Sequence, residues 1–371
     1  QKALNLIHKR SHGAVVIVDD GGLPVGMFTE SDARGKDRYE HLVDIMSTDL
    51  ITVDSKLSTR EMFEELVKHH IEVAPVMDGK KMLGVVTRKG LVRSSIFKPA
   101  LDKNGKLKVG VAIGINEDVP KRIKALEEMG VDVVLIDTAH GHQNGMMDAI
   151  KQARKASKDM YIIAGTVVTA QGTKDILNAG ANMVKVGIGA GAVCTTRMMT
   201  GVGRPQLSAV MECVEAAKEL DGFVMADGGI RHPRDVAIAL AAGAATTMFG
   251  SWFAGTYESP ADIHVETDGR MYKEQYGMAS NRAVIERNQN VGAYEKLMKE
   301  FFEEGVSGSK MYIKPGEEGA EDVLDSIVAG LRSACSYTGA NNLKEFHEKA
   351  VLGVQSPAAY NEGKPVAQSW T

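Results

Sequence analysis

Cys194 sits in the stretch Gly187–Gln206, GIGAGAVCTTRMMTGVGRPQ, beside two hydroxyl residues, Thr195 and Thr196. Gly187, Gly189 and Gly191 precede it, and Gly201 and Gly203 follow. Glycine lets a backbone adopt positive φ and approach a ligand closely, and a thiolate is an intrinsically reactive nucleophile. The pattern points to covalent catalysis at Cys194. The plainer alternative is a small buried hydrophobe. Cys213, in SAVMECVEAAKEL, and Cys335, in GLRSACSYTGA, lack the flanking glycines and read as packing residues.

A second constellation is Asp227-Gly228-Gly229, followed by Gly250-Ser251. The Asp can accept two bonds from a ribose diol, and the glycines expose N–H groups to phosphate. Gly250-Ser251 opens a helix, whose N-terminus favours a phosphate dianion. Alone, Asp-Gly-Gly is a turn; two such turns on adjacent strands point to a mononucleotide. His140 and His142 form an H-x-H without a third ligand nearby, and read as loop residues.

These residues need a frame. Beyond a polar linker at residues 98–106, apolar runs alternate with helical ones: KVGVAIGI, VDVVLID, MYIIAGTV, ANMVKVGIG, GFVMADGG and ATTMFGS. Amphipathic stretches such as EDVPKRIKALEEMG and HPRDVAIALAAG lie between them. Continuous apolar strands separated by helices predict an α/β fold with a parallel sheet. The chemistry-bearing residues cluster at strand C-terminal ends, as in a TIM barrel. Such a barrel needs eight strands, so the six runs imply that two βα units precede Gln1; an open doubly wound sheet is the alternative.

Residues 1–98 form a separate unit with an internal repeat of helix, strand, turn and strand. Gly26-Met27-Phe28-Thr29 and Gly84-Val85-Val86-Thr87 are the matching corners. The expected organisation is a unit over 1–98 and a catalytic domain over 99–371, the latter carrying a flap and a C-terminal tail.

The composition is that of an ordinary globular protein, with 44% hydrophobic and 25% charged residues. A net charge of -4 gives no basic field for nucleic acid. Three cysteines do not make a disulfide framework, which suggests the cytoplasm, and no run is long and apolar enough for a membrane span.

Together these segments resemble the family of IMP dehydrogenases and GMP reductases. GIGAGAVCTTRMMTGVGRPQ is similar to its catalytic-cysteine loop, and MADGGIRHPRDVAIALAAGAATTMFGSWFAGTYESP to its phosphate-binding strands. IDTAHGH, YGMAS and GLRSACSYTGA fit further family segments, and the resemblance covers nearly all of residues 107–345. The N-terminal repeat resembles a pair of CBS domains, which this family often carries as an insertion; a purely structural appendage is the alternative. The resemblance implies a TIM (β/α)8 barrel with that pair inserted after the second βα unit.

The resemblance also assigns roles. Cys194 would be the nucleophile, with Thr196 helping to protonate the leaving group. Asp227, Gly228, Gly229, Gly250 and Ser251 would hold ribose and phosphate. Tyr276, Gly277, Met278, Ala279 and Ser280 would line the phosphate and base, and Glu304 would meet the purine edge. Asp137, Thr138, Ala139 and Thr166 would face the nicotinamide cofactor. The carbonyls of Gly189, Gly191 and Cys194 match a K+ loop. Thr29 and Asp32 fit the corner that takes ATP or GTP in a CBS pair, whereas the second copy has Gly90 in place of that Asp.

Both family reactions add the cysteine to C2 of a purine nucleotide. The flap region, ASNRAVIERNQNVGAYEKLMKEFFEEG, contains no Arg-Tyr pair of the kind with which dehydrogenases hydrolyse the adduct. That favours NADPH-dependent reductive deamination of GMP to IMP and ammonia. An IMP dehydrogenase using NAD, or a catalytically impaired nucleotide sensor, is the runner-up. Asn281 stands where the reductases' acid–base Glu would fall, Thr166 replaces a usual Asn, and Ala190 a usual Pro. The resemblance further implies a homotetramer or octamer.

Overall fold

The computed structural model describes residues 2–7, 12–37, 39–277, 280, 282–283, 292, 294, 298 and 308–363. Two compact units emerge: residues 1–108 with 251–275 and 308–323, and residues 109–250 with 276–307 and 324–371.

The first unit opens with α1 (Lys2–Ile7), β1 (Ala14–Val18) and β2 (Pro24–Thr29). After a short α2 (Leu42–Ile45) come β3 (Val53–Asp54), α3 (Thr59–Lys68), β4 (Val73–Asp78), β5 (Lys81–Thr87) and α4 (Arg88–Ile96). The repeat in the sequence is a repeat in register. Ala14 lies opposite Thr29 in the first antiparallel hairpin, and Val73 opposite Thr87 in the second. Each copy has its own core, Ala3, Ile7 and Phe28 in one and Val53, Leu66, Ala74 and Leu91 in the other. The sequence dictates where α3 starts: Ser58 accepts from the Glu61 N–H, and Glu61 accepts from the Ser58 N–H at 2.7 Å. This capping box satisfies two donors that a helix start leaves bare.

The second unit is a six-stranded parallel sheet with helices between its strands. In order these are β6 (Gly110–Ile113), α5 (Val119–Glu128), β7 (Val133–Asp137), α6 (Asn144–Ala156), β8 (Tyr161–Val167), α7 (Ala170–Asn178) and β9 (Met183–Val186). There follow α8 (Thr196–Thr200), α9 (Gln206–Lys218), β10 (Phe223–Asp227), α10 (Pro233–Ala241) and β11 (Thr246–Met248). All six apolar runs read from the sequence are strands. Their order in the sheet is β11-β10-β9-β8-β7-β6, without a reversal. A doubly wound sheet reverses at a switch point, so that alternative is excluded. The winding is that of a β/α barrel, with β6 and β11 as the two edges among the described residues.

Both faces of the sheet are covered. Val134, Ile136, Ile162, Ala164, Val184 and Val224 pack under the helices against Ile123, Met146, Ile150 and Val210. Leu135, Ile163 and Met183 form a layer on the opposite face, flanked by Met225 and Met248. Burial on both faces is why these strands read as continuous apolar runs.

A small antiparallel sheet in the first unit has no counterpart in the apolar patterning of the sequence. After α11 (Ser251–Ala254) it comprises β12 (Ile263–Val265), β13 (Met271–Gln275) and β14 (Ser309–Tyr312). β13 reads MYKEQ and lacks an apolar pattern, yet Lys273 is buried. Its ammonium donates to the carbonyls of Tyr257 at 3.0 Å and Ser259 at 2.6 Å. Such pairing is what makes a buried Lys tolerable, and it is invisible in the sequence pattern.

Ile150, fully buried on α6, sits in the core that holds the parallel sheet. Ile150→Ala should lower the unfolding free energy by about 2–5 kcal/mol in urea denaturation. A loss well under 1 kcal/mol would contradict a close-packed core there.

Candidate active site

Five of the parallel strands, β7 to β11, bring the candidate residues to one edge of the sheet. β9 ends at Val186, and the chain turns through the glycine loop to Cys194 before entering α8. The thiol is exposed, and it donates to the Thr196 hydroxyl at 3.4 Å. Thr196 itself is 8% exposed, so the hydroxyl is held in the protein while the thiol faces out. The turn is closed by the Cys194 N–H, which donates to the Gly191 carbonyl at 3.2 Å. Gly201, with φ at 72°, ends α8 in the left-handed conformation glycine adopts without strain.

The Asp-Gly-Gly turn after β10 is bound directly to the cysteine loop. The Gly229 N–H donates to the Ala190 carbonyl at 2.8 Å, and the Gly228 N–H to the Met248 carbonyl at 3.1 Å. The backbones approach so closely that side chains are barred. A Cβ on Gly228 would lie 2.9 Å from the Ala190 carbonyl carbon, and one on Gly187 would lie 2.0 Å from the Asp227 oxygen. Gln206 fastens the same junction, its amide donating to the carbonyls of Val186 at 2.9 Å and Asp227 at 3.1 Å.

At the centre is a buried ion cluster. The Lys185 ammonium lies 2.5 Å from Asp227 Oδ2 and 3.0 Å from Asp137 Oδ1. The Lys185 side chain is 5% exposed, whereas those of Asp137 and Asp227 retain 35% and 25%. Thr166 donates to Asp137 Oδ1 at 3.4 Å. Burial pushes the Asp137 carboxyl up from its ordinary value, against the pull of Lys185. Burial also works against the Lys185 charge, but Asp227 and Asp137 outweigh it and raise its pKa. Burial thus sets the direction for Asp137, and the two carboxylates set it for Lys185.

The predicted cofactor residues lie beside this cluster. Thr138 and Thr166 exchange backbone bonds with the neighbouring strand end, Thr138 N–H to Gly165 at 2.9 Å and Thr166 N–H to Thr138 at 3.2 Å. The Thr138 hydroxyl is buried without a hydrogen-bond partner, which suits a ligand hydroxyl. Ala139 is exposed at the same turn. Gly250 stands two residues past β11, and Ser251 opens α11, a helix of only four residues. That helix offers N–H groups rather than a long dipole. Tyr276 stacks on the Arg282 guanidinium at 4.5 Å. Gly277 accepts from the Ser280 N–H at 3.0 Å, and Ser280 is fully buried. Met278, Ala279, Asn281 and Glu304 lie outside the described residues.

Other candidates resolve plainly. Cys213 is fully buried, and burial pushes its thiol up to about 11. Cys335 lies half-buried on the helix Ala320–Tyr337. His142 pairs with Asp175 at 2.8 Å, so the H-x-H is a loop feature. Among the described residues no three His, Cys, Asp or Glu side chains gather to hold a metal, and no helix is long and apolar enough to cross a membrane. In the first unit, Asp32 Oδ2 accepts from the Thr29 N–H at 2.7 Å and its hydroxyl at 2.8 Å. At the second corner the Thr87 hydroxyl accepts from Gly90 N–H at 2.9 Å.

Sequence reasoning missed Lys185, Gln206 and Gly165. The signal for Lys185 was a lone charge inside an apolar strand, where an unpaired Lys is rarely tolerated.

A parallel β/α sheet with an exposed thiol, a glycine turn and paired carboxylates at its carboxyl edge defines an α/β enzyme that works on a small molecule. The chain belongs to the IMP dehydrogenase / GMP reductase family, whose domain model matches residues 67–366. It is 51% identical to the GMP reductase of Mycobacterium tuberculosis over 99% of this chain and 77% of that protein. It is 38% identical to the inosine-5'-monophosphate dehydrogenase of Aquifex aeolicus over 98% of this chain and 74% of that one. Among solved structures it is similar to a cysteine-to-alanine variant of the Trypanosoma brucei GMP reductase in complex with guanosine 5'-monophosphate. That match has a TM-score of 0.65 and 28% identity, covering 96% of this chain and 74% of the other.

Gly187→Ala tests the strand-end junction. Its Cβ would collide with the Asp227 carbonyl, at a φ of 143° that L side chains rarely adopt. The variant should lose about 1–3 kcal/mol of stability and alkylate faster at Cys194 with iodoacetamide. An unchanged labelling rate would separate that contact from the thiol's position.

Proposed function

We propose that this chain is a GMP reductase, an oxidoreductase that converts GMP to IMP and ammonia with NADPH. The observation that carries the reading is the exposed Cys194 thiol held 3.4 Å from the Thr196 hydroxyl beside the Asp-Gly-Gly turn. Higher identity to the reductase (51%) than to the dehydrogenase (38%) supports this branch, as does a flap without an Arg-Tyr pair.

Cys194 Sγ bonds to C2 of GMP. The C2–amine bond breaks, and Thr196 relays a proton to the departing ammonia. Asp227 accepts from the ribose diol. Contrary to the expectation from sequence, the Gly228 and Gly229 N–H groups are spent on the Met248 and Ala190 carbonyls, so this turn shapes the phosphate site without donating to it. NADPH, when bound, would supply the hydride at C2, and cleavage of the C2–S bond would return the Cys194 thiolate. Asp137, Thr138, Ala139 and Thr166 would hold that cofactor, and the orphaned Thr138 hydroxyl fits a polar ligand group.

A K+ at the carbonyls of Gly189, Gly191 and Cys194 would brace the nucleophile's loop. Carbonyl oxygens suit a hard cation, and the Gly191 oxygen retains a lone pair beyond its bond from Cys194. The six consecutive parallel strands, whose outer members β6 and β11 have no further partner strand among the described residues, are proposed as part of an eight-stranded barrel. The two hairpin copies are proposed as a CBS pair that takes ATP or GTP at Thr29 and Asp32.

Purified protein should oxidise NADPH only when GMP is supplied, and should not reduce NAD with IMP. Cys194→Ala should abolish turnover while keeping the GMP dissociation constant within about tenfold, because ribose and phosphate contacts dominate affinity. Residual turnover in that variant would rule out the covalent route.

Asp32→Ala should remove any effect of ATP or GTP on the rate and leave the GMP KM within about twofold. A retained nucleotide response would assign regulation elsewhere.

A further inference from the structure

We propose that Lys185 is a positioning residue that couples the nucleotide and cofactor halves of the site through one shared ammonium. The inference deepens the proposed function and rests on its assignment of Asp227 to the nucleotide ribose and Asp137 to the cofactor.

The register of the sheet makes the bridge possible. Asp137 pairs with Gly165 across β7 and β8, and Gly165 pairs with Lys185 across β8 and β9. The strand between the two charged residues therefore carries a glycine at the crossing point. A Cβ on Gly165 would lie 2.8 Å from the Lys185 Cβ and 2.4 Å from its carbonyl oxygen. With no side chain there, the Lys185 stem passes over β8 and its ammonium reaches Asp137 at 3.0 Å while also holding Asp227 at 2.5 Å.

Each carboxylate is engaged inward through one oxygen. Lys185 takes Oδ2 of Asp227; Lys185 and Thr166 take Oδ1 of Asp137. The second oxygen of each remains to accept from a ribose hydroxyl, since both side chains retain partial exposure. Two carboxylates converging on one point repel each other unless a cation lies between them. Lys185 is that cation, and a ligand that draws on one carboxylate alters the ammonium's hold on the other.

The test uses full-length protein. Wild-type turnover is read first: without GMP-dependent NADPH oxidation the proposed function fails, and this inference falls with it. With normal wild-type turnover, Lys185→Met should raise KM for GMP and for NADPH together, each by about tenfold, with kcat at saturation within about threefold. Lys185→Arg should restore both constants to within about threefold, since a guanidinium can serve two carboxylates at once. Unchanged KM values, a rise in only one, or a loss of kcat alone would overturn the inference while leaving the proposed function standing. If Lys185→Met does not fold, Asp137→Asn decides the matter by calorimetry with GMP alone. A GMP dissociation constant shifted by about threefold or more supports the coupling, and an unshifted one overturns it.

Discussion

Parallel pairing forces every strand to finish at the same edge, and the candidate site depends on that. Each strand from β7 to β11 delivers one short segment there: Asp137-Thr138-Ala139, Thr166, the cysteine loop, Asp-Gly-Gly and Gly250. Hydrogen-bonded strands stand about 4.8 Å apart, so groups on neighbouring strand ends fall within reach of one small ligand.

That geometry gathers charge as well as function. The inner face brings Asp137, Lys185 and Asp227 together, and a buried ion cluster is stable only when its members satisfy each other. The arrangement leaves one carboxylate in excess of the cations. Such an imbalance costs stability, and it suits the proposed role of both carboxylates as hydrogen-bond acceptors for a ligand. The glycines carry the other half of the arrangement. Gly187 and Gly228 let β9, β10 and the cysteine loop touch backbone to backbone, so the thiol is fixed relative to the turn by main-chain atoms.

The first unit follows a different logic. Its two hairpins match in register at Thr29 and Thr87, yet their corners are closed differently. Asp32 engages the first threonine from a side chain, whereas Gly90 offers the second only its backbone N–H. A charged acceptor survives in one copy alone. Within this unit, Arg93 on α4 also pairs with Glu321 at 2.8 Å and Asp322 at 2.5 Å, joining segments far apart in the chain. The pairing of Arg93 with Asp322 is mostly shielded from solvent, and such pairs are screened less than surface ones.

Much of this was legible in the sequence because it is local. Apolar runs bounded by glycine predicted all six parallel strands, and the glycines around Cys194 and in Asp-Gly-Gly predicted tight backbone approaches. The hairpin repeat was readable for the same reason, since register follows the turn. The sheet β12–β13–β14 was not, because Lys273 breaks the apolar pattern and its ammonium is received by carbonyls the sequence cannot place. Strand order was less legible: the apolar runs alone suit a barrel or a doubly wound sheet, and it was the placing of the chemistry at strand ends and the family resemblance that pointed to the barrel winding. Tertiary structure alone made Lys185 the bridge between Asp137 and Asp227. The three residues are far apart in the chain, and which side chains meet across a sheet is set by inter-strand register, a non-local quantity that no stretch of sequence encodes by itself.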